Sequence, residues 1–560
     1  MNWVIKENND NESVKRLSNE LNISPILSSM LVNRRVKTFD EAKKFFRPNF
    51  EMLHDPFLMK DMSLAVERIQ KAIQKNESIM IFGDYDVDGT SSVALLSMYL
   101  ESLGLKIIKY LPDRKKEGYG VSINAIDHAF SKNQKLIIAL DCGIKAHKQV
   151  EYAKEKGIEF IICDHHNPDK NLPKALAILN PKRKDCAYPF KELCGCGVGF
   201  KLVQAIESKQ SKDNQIINYL DLVALAIAAD VVPLTGENRV LSFIGLQIIN
   251  SNPRPGVHSL LKKNVKKEYT ISDLMYYVGP RINAAGRMKH ASLALELLIC
   301  NDINSVEKLA LEIEDLNTSR RDIEKDITSQ AIEQVDNSSE KLNSIVVFDS
   351  DWNKGVIGIV ASRLVDKYYK PSIVFCESSK GVLTASARSI KGLDLYSVLN
   401  LCKGFIDQFG GHKYAAGLTI KKENLEGFKK HFENIVSQII DKNIFEQELL
   451  IESKINLNEI TPKFFRILKQ MGPFGPKNMK PVFTTNAVRD NGYGKRVGAD
   501  KSHLKLNIIN GADQKTYNAI GFGLGDKITS TQNDFDIAYN LDENEWNGNT
   551  SIQLLLKDIK

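Results

Sequence analysis

Between residues 79 and 163, short and almost wholly apolar segments alternate with segments whose apolar residues are spaced as on a helix. The apolar segments are Ile79–Phe82, Ile107–Leu111, Leu136–Leu140 and Ile158–Cys163. Strands that are apolar on both faces and are joined by helices are typical of a parallel sheet with helices on either side. The sequence therefore predicts an α/β domain built on a parallel sheet.

Changes of pattern predict the remaining organisation of the chain. The stretch from Ile303 to about Asn337 contains no Gly or Pro, which predicts a helix roughly 50 Å long at 1.5 Å per residue. The last hundred residues have short apolar segments separated by turns rich in Gly, Asn and Asp, which is typical of a small β barrel. We predict a helical segment at 1–75, the parallel-sheet domain at 76–300, a linking helix at 301–340, a second α/β domain at 341–445 and a β barrel at 446–560.

Composition limits the possible partners and location. With 76 basic and 69 acidic side chains the net charge is +7 at pH 7, which permits a polyanionic partner without requiring one. No apolar run approaches the roughly 18 residues of a membrane helix, and the first residues lack the order of a signal peptide. Of the eight cysteines only Cys194 and Cys196 are close together, so reduced thiols in a cytoplasmic protein are expected rather than a structural zinc site.

Acidic and histidine residues follow the predicted strands. The set consists of Asp84, Asp86 and Asp88, then Asp141, then Asp164-His165-His166, and finally Asp230, which ends the apolar run from Leu222 to Ala229. We interpret all four features as the ends of sheet strands. Because the carboxyl ends of parallel strands meet at one edge, where open α/β folds bind ligands, we expect these side chains to lie together.

Three carboxylates within five residues would repel one another strongly in a dry loop, and a divalent cation would relieve that repulsion. Carboxylates with one or two imidazoles suit Mn²⁺ or Mg²⁺ better than a thiolate-type zinc site does. Two such cations can activate water and neutralise a phosphoryl group. Alone, an Asp-x-Asp is usually a solvated turn and a His-His pair usually a packed or capping pair, but four features together favour a dinuclear phosphoesterase.

Other motifs are less specific. The segment Gly195–Gly199 is interpreted as tight packing or a turn, because it follows no clear strand and lacks the full spacing of a dinucleotide fingerprint. Four basic or glycine-rich segments could bind phosphate. They are Arg114–Gly120, Gly279–Arg287, Ser386–Ser389 and Gly410–Gly417. Each alone is more typical of a surface charge or a turn, whereas several in separate domains favour a long anionic ligand.

Taken together, these motifs resemble the bacterial RecJ single-stranded-DNA exonucleases of the DHH phosphoesterase superfamily. The resemblance extends over nearly the whole chain. It is carried by Gly83–Gly89, Asp164–His166, Asp221–Leu234, Gly279–Arg287, Trp352–Leu364, Gly410–Gly417 and Glu545–Asp558. It implies a parallel-sheet DHH domain joined by a long helix to a DHHA1 α/β domain, with a C-terminal OB-like β barrel that binds nucleic acid and a channel for one strand.

The resemblance also implies roles for individual residues. Two Mn²⁺ or Mg²⁺ ions would be held by Asp84, Asp86, Asp88, Asp141, His165 and Asp230. His166 would either assist in the metal shell or orient the scissile phosphate. The terminal 5′ phosphate would lie at Arg114, Ser386 and Arg388, with a base stacked on Tyr119. The strand would be contacted by Arg281, Asn283, Arg287 and His412.

The implied activity is two-metal 5′→3′ hydrolysis of single-stranded DNA to nucleoside 5′-monophosphates, in DNA repair and recombination. Single-strand-binding protein and a helicase are the implied protein partners, and a monomer is expected. The chain departs from the family pattern at two places: Asn353 stands where the family usually has His, and Arg34-Arg35 replaces an Arg-Gly step.

Two alternatives are compatible with the motifs. A phosphodiesterase for nanoRNA or cyclic dinucleotides belongs to the same superfamily, but those proteins generally lack the linking helix and the OB tail. A catalytically silent DNA-binding scaffold would be expected to have lost some of its acidic residues, and here all of them are present.

Overall fold

The computed structural model describes residues 1–7, 10–209, 215–338, 342–439, 447–510, 515–531, 533–546 and 549–560. The predicted domain borders at 340–341 and 445–446 lie outside these residues. The chain forms two compact units. The first contains Met1–Pro112, Gly120–Gly279 and Glu448–Lys560, and the second contains Asp113–Tyr119 and Pro280–Gln447.

The regular elements are numbered in chain order. The strands are β1 (Asn2–Ile5), β2 (Ile79–Gly83), β3 (Ile107–Tyr110), β4 (Leu136–Leu140), β5 (Glu159–Cys163), β6 (Ala177–Leu179), β7 (Ile345–Asp349), β8 (Ser372–Ser379), β9 (Val382–Arg388), β10 (Gln408–Gly411), β11 (Ala415–Lys421), β12 (Glu448–Ile451), β13 (Ser453–Lys454), β14 (Phe483–Asp490), β15 (Lys495–Val497), β16 (His503–Asn510), β17 (Tyr517–Gly521), β18 (Phe535–Trp546) and β19 (Asn549–Ile559). The helices are α1 (Asn11–Leu21), α2 (Pro25–Asn33), α3 (Phe39–Phe46), α4 (Met62–Lys75), α5 (Val87–Ser102), α6 (Ile123–Ser131), α7 (His147–Glu155), α8 (Gly195–Ser208), α9 (Leu220–Asp230), α10 (Gly236–Ser251), α11 (Pro255–Leu261), α12 (Ile271–Asp273), α13 (Gly279–Met288), α14 (Ser292–Ile299), α15 (Ile303–Asp336), α16 (Ile357–Tyr368), α17 (Leu395–Leu401), α18 (Leu425–Ile439) and α19 (Pro462–Gln470).

The predicted parallel sheet is confirmed. Its strands have the order β3-β2-β4-β5-β6, and every neighbouring pair is parallel. Strands β2 and β4 are buried along their whole length, as expected for a sheet covered on both faces. Helix α5 begins at Val87, four residues earlier than its apolar spacing indicates, because the Asp86 side chain caps it by accepting from the Gly89 amide at 3.0 Å.

The N-terminal segment contains a strand as well as the predicted helices. Strand β1 pairs in parallel with β12, with Trp3 opposite Leu449. Helices α1 and α2 share one apolar core with the C-terminal strands, to which Leu17, Leu31 and Tyr539 contribute. The two ends of the chain therefore fold together within the first unit.

The C-terminal strands form a partly closed ring rather than the complete barrel that the sequence predicts. The sheet order is β13-β14-β18-β19-β17-β16-β15, and β14 pairs additionally with β16. That closing contact is short, from Val488 opposite Asn510 to Asp490 opposite Ile508. The register of β14 shifts between Thr485 and Val488, and such a bulge bends a strand toward a new partner.

In the second unit a mixed sheet has the order β10-β11-β9-β8-β7. Helix α15 is 34 residues long and confirms the predicted long helix. It packs on α16 and buries Arg320, which donates to Glu324 on the next turn at 2.5 Å. Ser386 and Arg388 lie within β9, whereas the sequence interpretation placed them after a strand.

Among the described residues, every helix is too short or too polar to span a bilayer.

Candidate metal centre and phosphate-binding residues

His165 lies at the centre of a group of acids at the carboxyl edge of the parallel sheet. Its Nε2 is 3.2 Å from Oδ1 of Asp141, 3.7 Å from Oδ2 of Asp230 and 3.9 Å from Oδ2 of Asp88. This buried nitrogen has no hydrogen-bond partner among the described residues. Burial lowers the pKa of His165 to about 3, as do the positive charges of His166 and of the Lys182 ammonium. The imidazole is therefore neutral and can offer its lone pair to a metal ion.

Asp88 is fixed by the main chain at the start of α8. Its two carboxylate oxygens accept from the amides of Gly195 and Cys196, each at 2.7 Å. A Cβ atom on Gly195 would lie 2.6 Å from the Asp141 Cβ and 2.7 Å from its Oδ1, a distance that real Cβ atoms do not adopt. The glycine segment interpreted from sequence as tight packing or a turn is thus a helix N-terminus that holds one predicted ligand and leaves room for another.

Asp164, the first residue of the Asp-His-His triplet, orients the two histidines. Its Oδ1 accepts from the His165 and His166 amides at 2.7 and 3.0 Å and lies 2.7 Å from His166 Nδ1. Its Oδ2 accepts from the Ile144 amide at 2.9 Å. Burial would raise the pKa of Asp164, but the hydrogen bond and charge of His166 lower it to about 2. Asp164 is therefore a constant anion that directs the other nitrogen of His166 away from itself.

Asp230 reaches this site from a helix. It is the last residue of α9, so the interpretation that all four acidic features end sheet strands is wrong for this one. The apolar run from Leu222 to Ala229 is buried on every side of the helix, and an apolar run of that length does not by itself distinguish a buried helix from a strand.

Asp84 and Asp86 lie on the loop after β2, where Asp84 is buried and Asp86 is half-buried. The Asp86 carboxylate caps α5. Both charges contribute to raising the pKa of Asp141, after burial and the Asp88 charge. They therefore lie close enough to the group around His165 to belong to the same electrostatic site.

Mutual repulsion of the acids appears in their pKa values. Burial and the Asp86 charge raise the pKa of Asp88 to about 7. Burial and neighbouring carboxylates likewise raise the pKa values of Asp141 and Asp230 well above the ordinary range. The possible ligand atoms of Asp88, His165 and Asp230 lie within 4.8 Å of one another. Carboxylate oxygens around a neutral imidazole are donors that fit Mn²⁺ or Mg²⁺, and a cation there would relieve the repulsion.

The predicted 5′-phosphate residues lie together in the second unit. Arg388 donates to Ser386 Oγ at 3.1 Å, and a Cβ on Gly358 would lie 2.9 Å from that Oγ. Burial and the Arg114 charge lower the pKa of Arg388, which places two guanidinium groups near each other. No carboxylate pairs with Arg388 among the described residues. Tyr119, on the same short segment as Arg114, is 58% exposed.

The predicted strand-contacting residues differ from one another. Arg281 is buried and paired with Glu314 of α15, with Nε 2.5 Å from Oε2, so its guanidinium is already engaged. Arg287 donates to the Gly355 carbonyl at 2.8 Å, and Asn283 is half-buried on the same helix, α13. His412 is exposed in the hairpin between β10 and β11, where its amide donates to the Ala415 carbonyl at 2.8 Å.

Comparison with known proteins matches three family models in the expected order. These are the DHH family N-terminal domain at residues 78–227, the DHHA1 domain at 341–438 and the RecJ OB domain at 451–558. The single-stranded-DNA-specific exonuclease RecJ of Bacillus subtilis is 36% identical over 571 residues, covering 100% of this chain and 70% of the relative. The chain belongs to the RecJ family. RecJ of Escherichia coli K12 is 31% identical, and the match covers 96% of both chains.

Solved RecJ structures have the same fold. The RecJ of Thermus thermophilus in complex with Mn²⁺ aligns with a TM-score of 0.86 at 25% identity, covering 100% of this chain and 79% of that one. Another exonuclease RecJ bound to manganese aligns with a TM-score of 0.60 at 30% identity, covering 70% of this chain and 97% of that one. The recognition made from the Asp-His-His triplet and its companion motifs is confirmed.

The RecJ pattern is modified locally at Asn353. Its Oδ1 accepts from the Gly355 amide at 2.8 Å, and Gly355 in turn accepts from Arg287. The amide side chain thus closes a tight turn of the Trp352–Gly355 segment against α13, a role open to any side chain with an acceptor at that position.

Proposed function

We propose that this protein is a metal-dependent exonuclease that hydrolyses single-stranded DNA from the 5′ end to nucleoside 5′-monophosphates, in DNA repair and recombination. The observation that carries the proposal is the group around His165, in which buried carboxylates converge on one neutral imidazole nitrogen within 3.9 Å. The full-length similarity to RecJ exonucleases supports the substrate and the reaction.

We assign the metal-binding role to six side chains around that nitrogen. They are Asp84, Asp86, Asp88, Asp141, His165 and Asp230. RecJ of Thermus thermophilus has been solved in complex with Mn²⁺ and in complex with Mg²⁺, and the oxygen-rich donor set suits both ions. When bound, two such ions supply activation of water and neutralisation of the phosphoryl charge.

The protein's own groups orient the phosphate. Burial would lower the pKa of His166, but the hydrogen bond and charge of Asp164 raise it. A protonated imidazole can donate from Nε2 to a non-bridging phosphate oxygen, since Nδ1 is held by Asp164. We therefore assign His166 to orienting the scissile phosphate rather than to the metal shell.

Selection of the 5′ end is assigned to the second unit. Two guanidinium groups and a hydroxyl, from Arg114, Arg388 and Ser386, offer directional donors to a terminal phosphate monoester. The exposed ring of Tyr119 can stack on the first base. Asn283, Arg287 and His412 are assigned to the strand beyond it, and Arg281 contributes by holding α13 against α15 through Glu314.

The C-terminal ring is assigned to binding the rest of the strand. Tyr493 and Phe522 are 71% and 64% exposed, and Lys495 and Arg496 lie on the neighbouring strand β15. Exposed rings beside basic side chains form a stacking platform, in which each stacked base contributes about 1–3 kcal/mol.

Replacing Asp141 tests the catalytic assignment. The Asp141→Ala variant should lose cleavage of a 5′-phosphorylated single strand labelled near its 5′ end, because the carboxylate nearest to His165 Nε2 is removed. Release of labelled mononucleotide would be followed with Mn²⁺, with a matched duplex and an EDTA sample as controls. Retained DNA binding with no cleavage is the expected result. Full activity in the variant, or no cleavage by the wild type with either ion, would contradict the proposal.

Substrate length separates the rival phosphodiesterase activity. A strand of forty nucleotides should be degraded faster than a dinucleotide, because the shorter substrate cannot reach the C-terminal ring. The reverse preference would favour a nanoRNA or cyclic-dinucleotide enzyme.

Partners and location are also proposals. We infer a cytoplasmic location from the eight cysteines, all of which are free thiols. Single-strand-binding protein and a helicase are proposed as partners that present the strand, and a monomer is proposed as the active form. Pull-down with single-strand-binding protein and sedimentation of the purified chain test these statements.

A further inference from the structure

An open cleft of about 600 Å³ lies beside the candidate metal centre in the first unit. Three lysines line it, Lys182, Lys184 and Lys191, together with Asn167, the residue after His166. The cleft therefore begins where the Asp-His-His loop ends. None of its lining residues belongs to the metal-binding set assigned above.

The position of Lys182 is fixed by a buried amide. Asn180 is fully buried, and its Nδ2 donates to the His166 carbonyl at 2.9 Å. Its Oδ1 accepts from the Lys182 amide at 2.8 Å. One side chain thus ties the lysine loop to the histidine loop. The Lys182 charge lowers the pKa of Asp230, against burial and the neighbouring acids, so its ammonium acts directly on the site.

The charge of the cleft is not balanced by its own acids. Arg183 is neutralised by Asp61 and Asp185, at 2.6 and 2.7 Å. By contrast, the three lysines form no ion pair with any residue that the structure describes. Lys191 donates only to a neutral acceptor, the Cys186 carbonyl, at 2.7 Å. A half-buried ammonium such as that of Lys182 is costly to leave without an anion, so an external anion is expected.

We propose that this cleft is a phosphate-binding subsite, which holds a nucleotide phosphate adjacent to the one undergoing hydrolysis. The inference rests on the proposed exonuclease function. The phosphate belongs either to the next nucleotide of the strand or to the nucleoside 5′-monophosphate that is released. Lysine is suited to both, since its three donors rotate to follow a phosphate that arrives, reacts and leaves.

Charge-removing variants distinguish the two sources. Lys182→Gln and Lys184→Gln would be compared with the wild type and with Lys174→Gln, which removes an exposed lysine outside the cleft. Three quantities would be measured: the KM for single-stranded DNA, the salt dependence of KM, and the Ki of 5′-dTMP. A strand phosphate predicts a KM at least about fivefold higher and a salt slope smaller by about 0.7 per lost contact. A product phosphate predicts a weaker Ki for 5′-dTMP with KM unchanged.

Lys182→Arg should restore most of the lost binding, because it keeps the charge, and equal thermal unfolding midpoints exclude misfolding. If the cleft variants match Lys174→Gln in all three quantities, the subsite is refuted. If the wild type does not cleave any strand, the proposed function fails. Calorimetric titration of 5′-dTMP in EDTA then tests the cleft alone, where tighter binding by the wild type than by Lys182→Gln supports it and equal binding overturns it.

Discussion

At the scale of single residues, the metal centre depends on atoms that carry no residue-type signature. The amides of Gly195 and Cys196 fix Asp88, and every residue other than proline has such an amide. The glycine is required for a different reason, namely its close approach to Asp141. The acids themselves could be predicted from the sequence, because each is a side chain with a recognisable chemistry. The main-chain donors could not, since only the fold brings α8 to the end of β2.

Gly195→Ala is therefore expected to reduce activity far more than a typical glycine substitution in a helix. The new Cβ would have to displace Asp141 by several tenths of an ångström or more, and misplacement of a catalytic group by about 1 Å can reduce the rate about 100-fold. The measurement is kcat on single-stranded DNA with saturating Mn²⁺.

The matched control for that change is Gly199→Ala in the same helix. A Cβ at Gly199 would meet only Leu140 Cδ2, at 3.3 Å, a flexible methyl group outside the metal centre. Activity near that of the wild type is expected for the control. Equal activities of the two variants would show that the space at Gly195 is unimportant for the site.

At the scale of elements, the sequence was informative where the pattern is local. Period and composition predicted β2, β4, β5 and the long helix α15 close to their observed bounds. They were uninformative for the run before Asp230, because a helix buried on all sides has no polar face to reveal its period. They also could not pair Arg281 with Glu314, a contact 33 residues apart that exists only after α13 packs against α15.

The end of α2 provides an element-scale prediction. Arg35 has φ 62°, and the Arg35 and Val36 amides donate to the carbonyls of Val32 and Leu31 at 2.9 and 3.0 Å. These two bonds form a Schellman cap, whose left-handed position favours glycine. The RecJ pattern has Arg-Gly at this step. Arg35→Gly should therefore raise the free energy of unfolding, by about 0.5–1 kcal/mol, since the left-handed strain exceeds the added chain entropy.

The measurement is denaturant unfolding of the full chain, with Arg35→Ala as the control. Alanine removes the same exposed charge but keeps the Cβ, so it should give no gain in stability. A gain of similar size in both variants would mean that loss of the Arg35 charge, rather than relief of backbone strain, is responsible.

At the scale of the whole molecule, long-range pairing was the hardest feature to predict. The pairing of β1 with β12 joins residues more than four hundred positions apart, and Trp3 donates to Asp558 at 2.9 Å. Neither contact has a local pattern. The order of the C-terminal strands could be expected only from the family resemblance. By contrast, the agreement with the Thermus thermophilus RecJ over 100% of this chain follows from motifs that are spread along its length.

The metal centre should make the stability of the whole protein depend on pH and on metal together. Asp88 has a folded pKa of about 7 against an ordinary value of 3.8. Because the unfolded chain releases this proton first, the metal-free protein loses stability as the pH rises from 3.8 to about 7, and no more above that. Binding a cation requires the carboxylate form, so metal affinity rises over the same range.

Addition of Mn²⁺ should therefore raise the thermal unfolding midpoint more at about pH 8 than at about pH 6. Each tenfold gain in affinity adds about 1.4 kcal/mol when the ion is in excess. Scanning calorimetry with Mn²⁺ or EDTA at both pH values measures this. In the Asp88→Asn variant the pH dependence of the Mn²⁺ effect should shrink, because one of the protons that must leave is gone. A Mn²⁺-induced rise that is the same at both pH values in the wild type would mean that the ion binds where no proton has to be displaced, away from Asp88, Asp141 and Asp230.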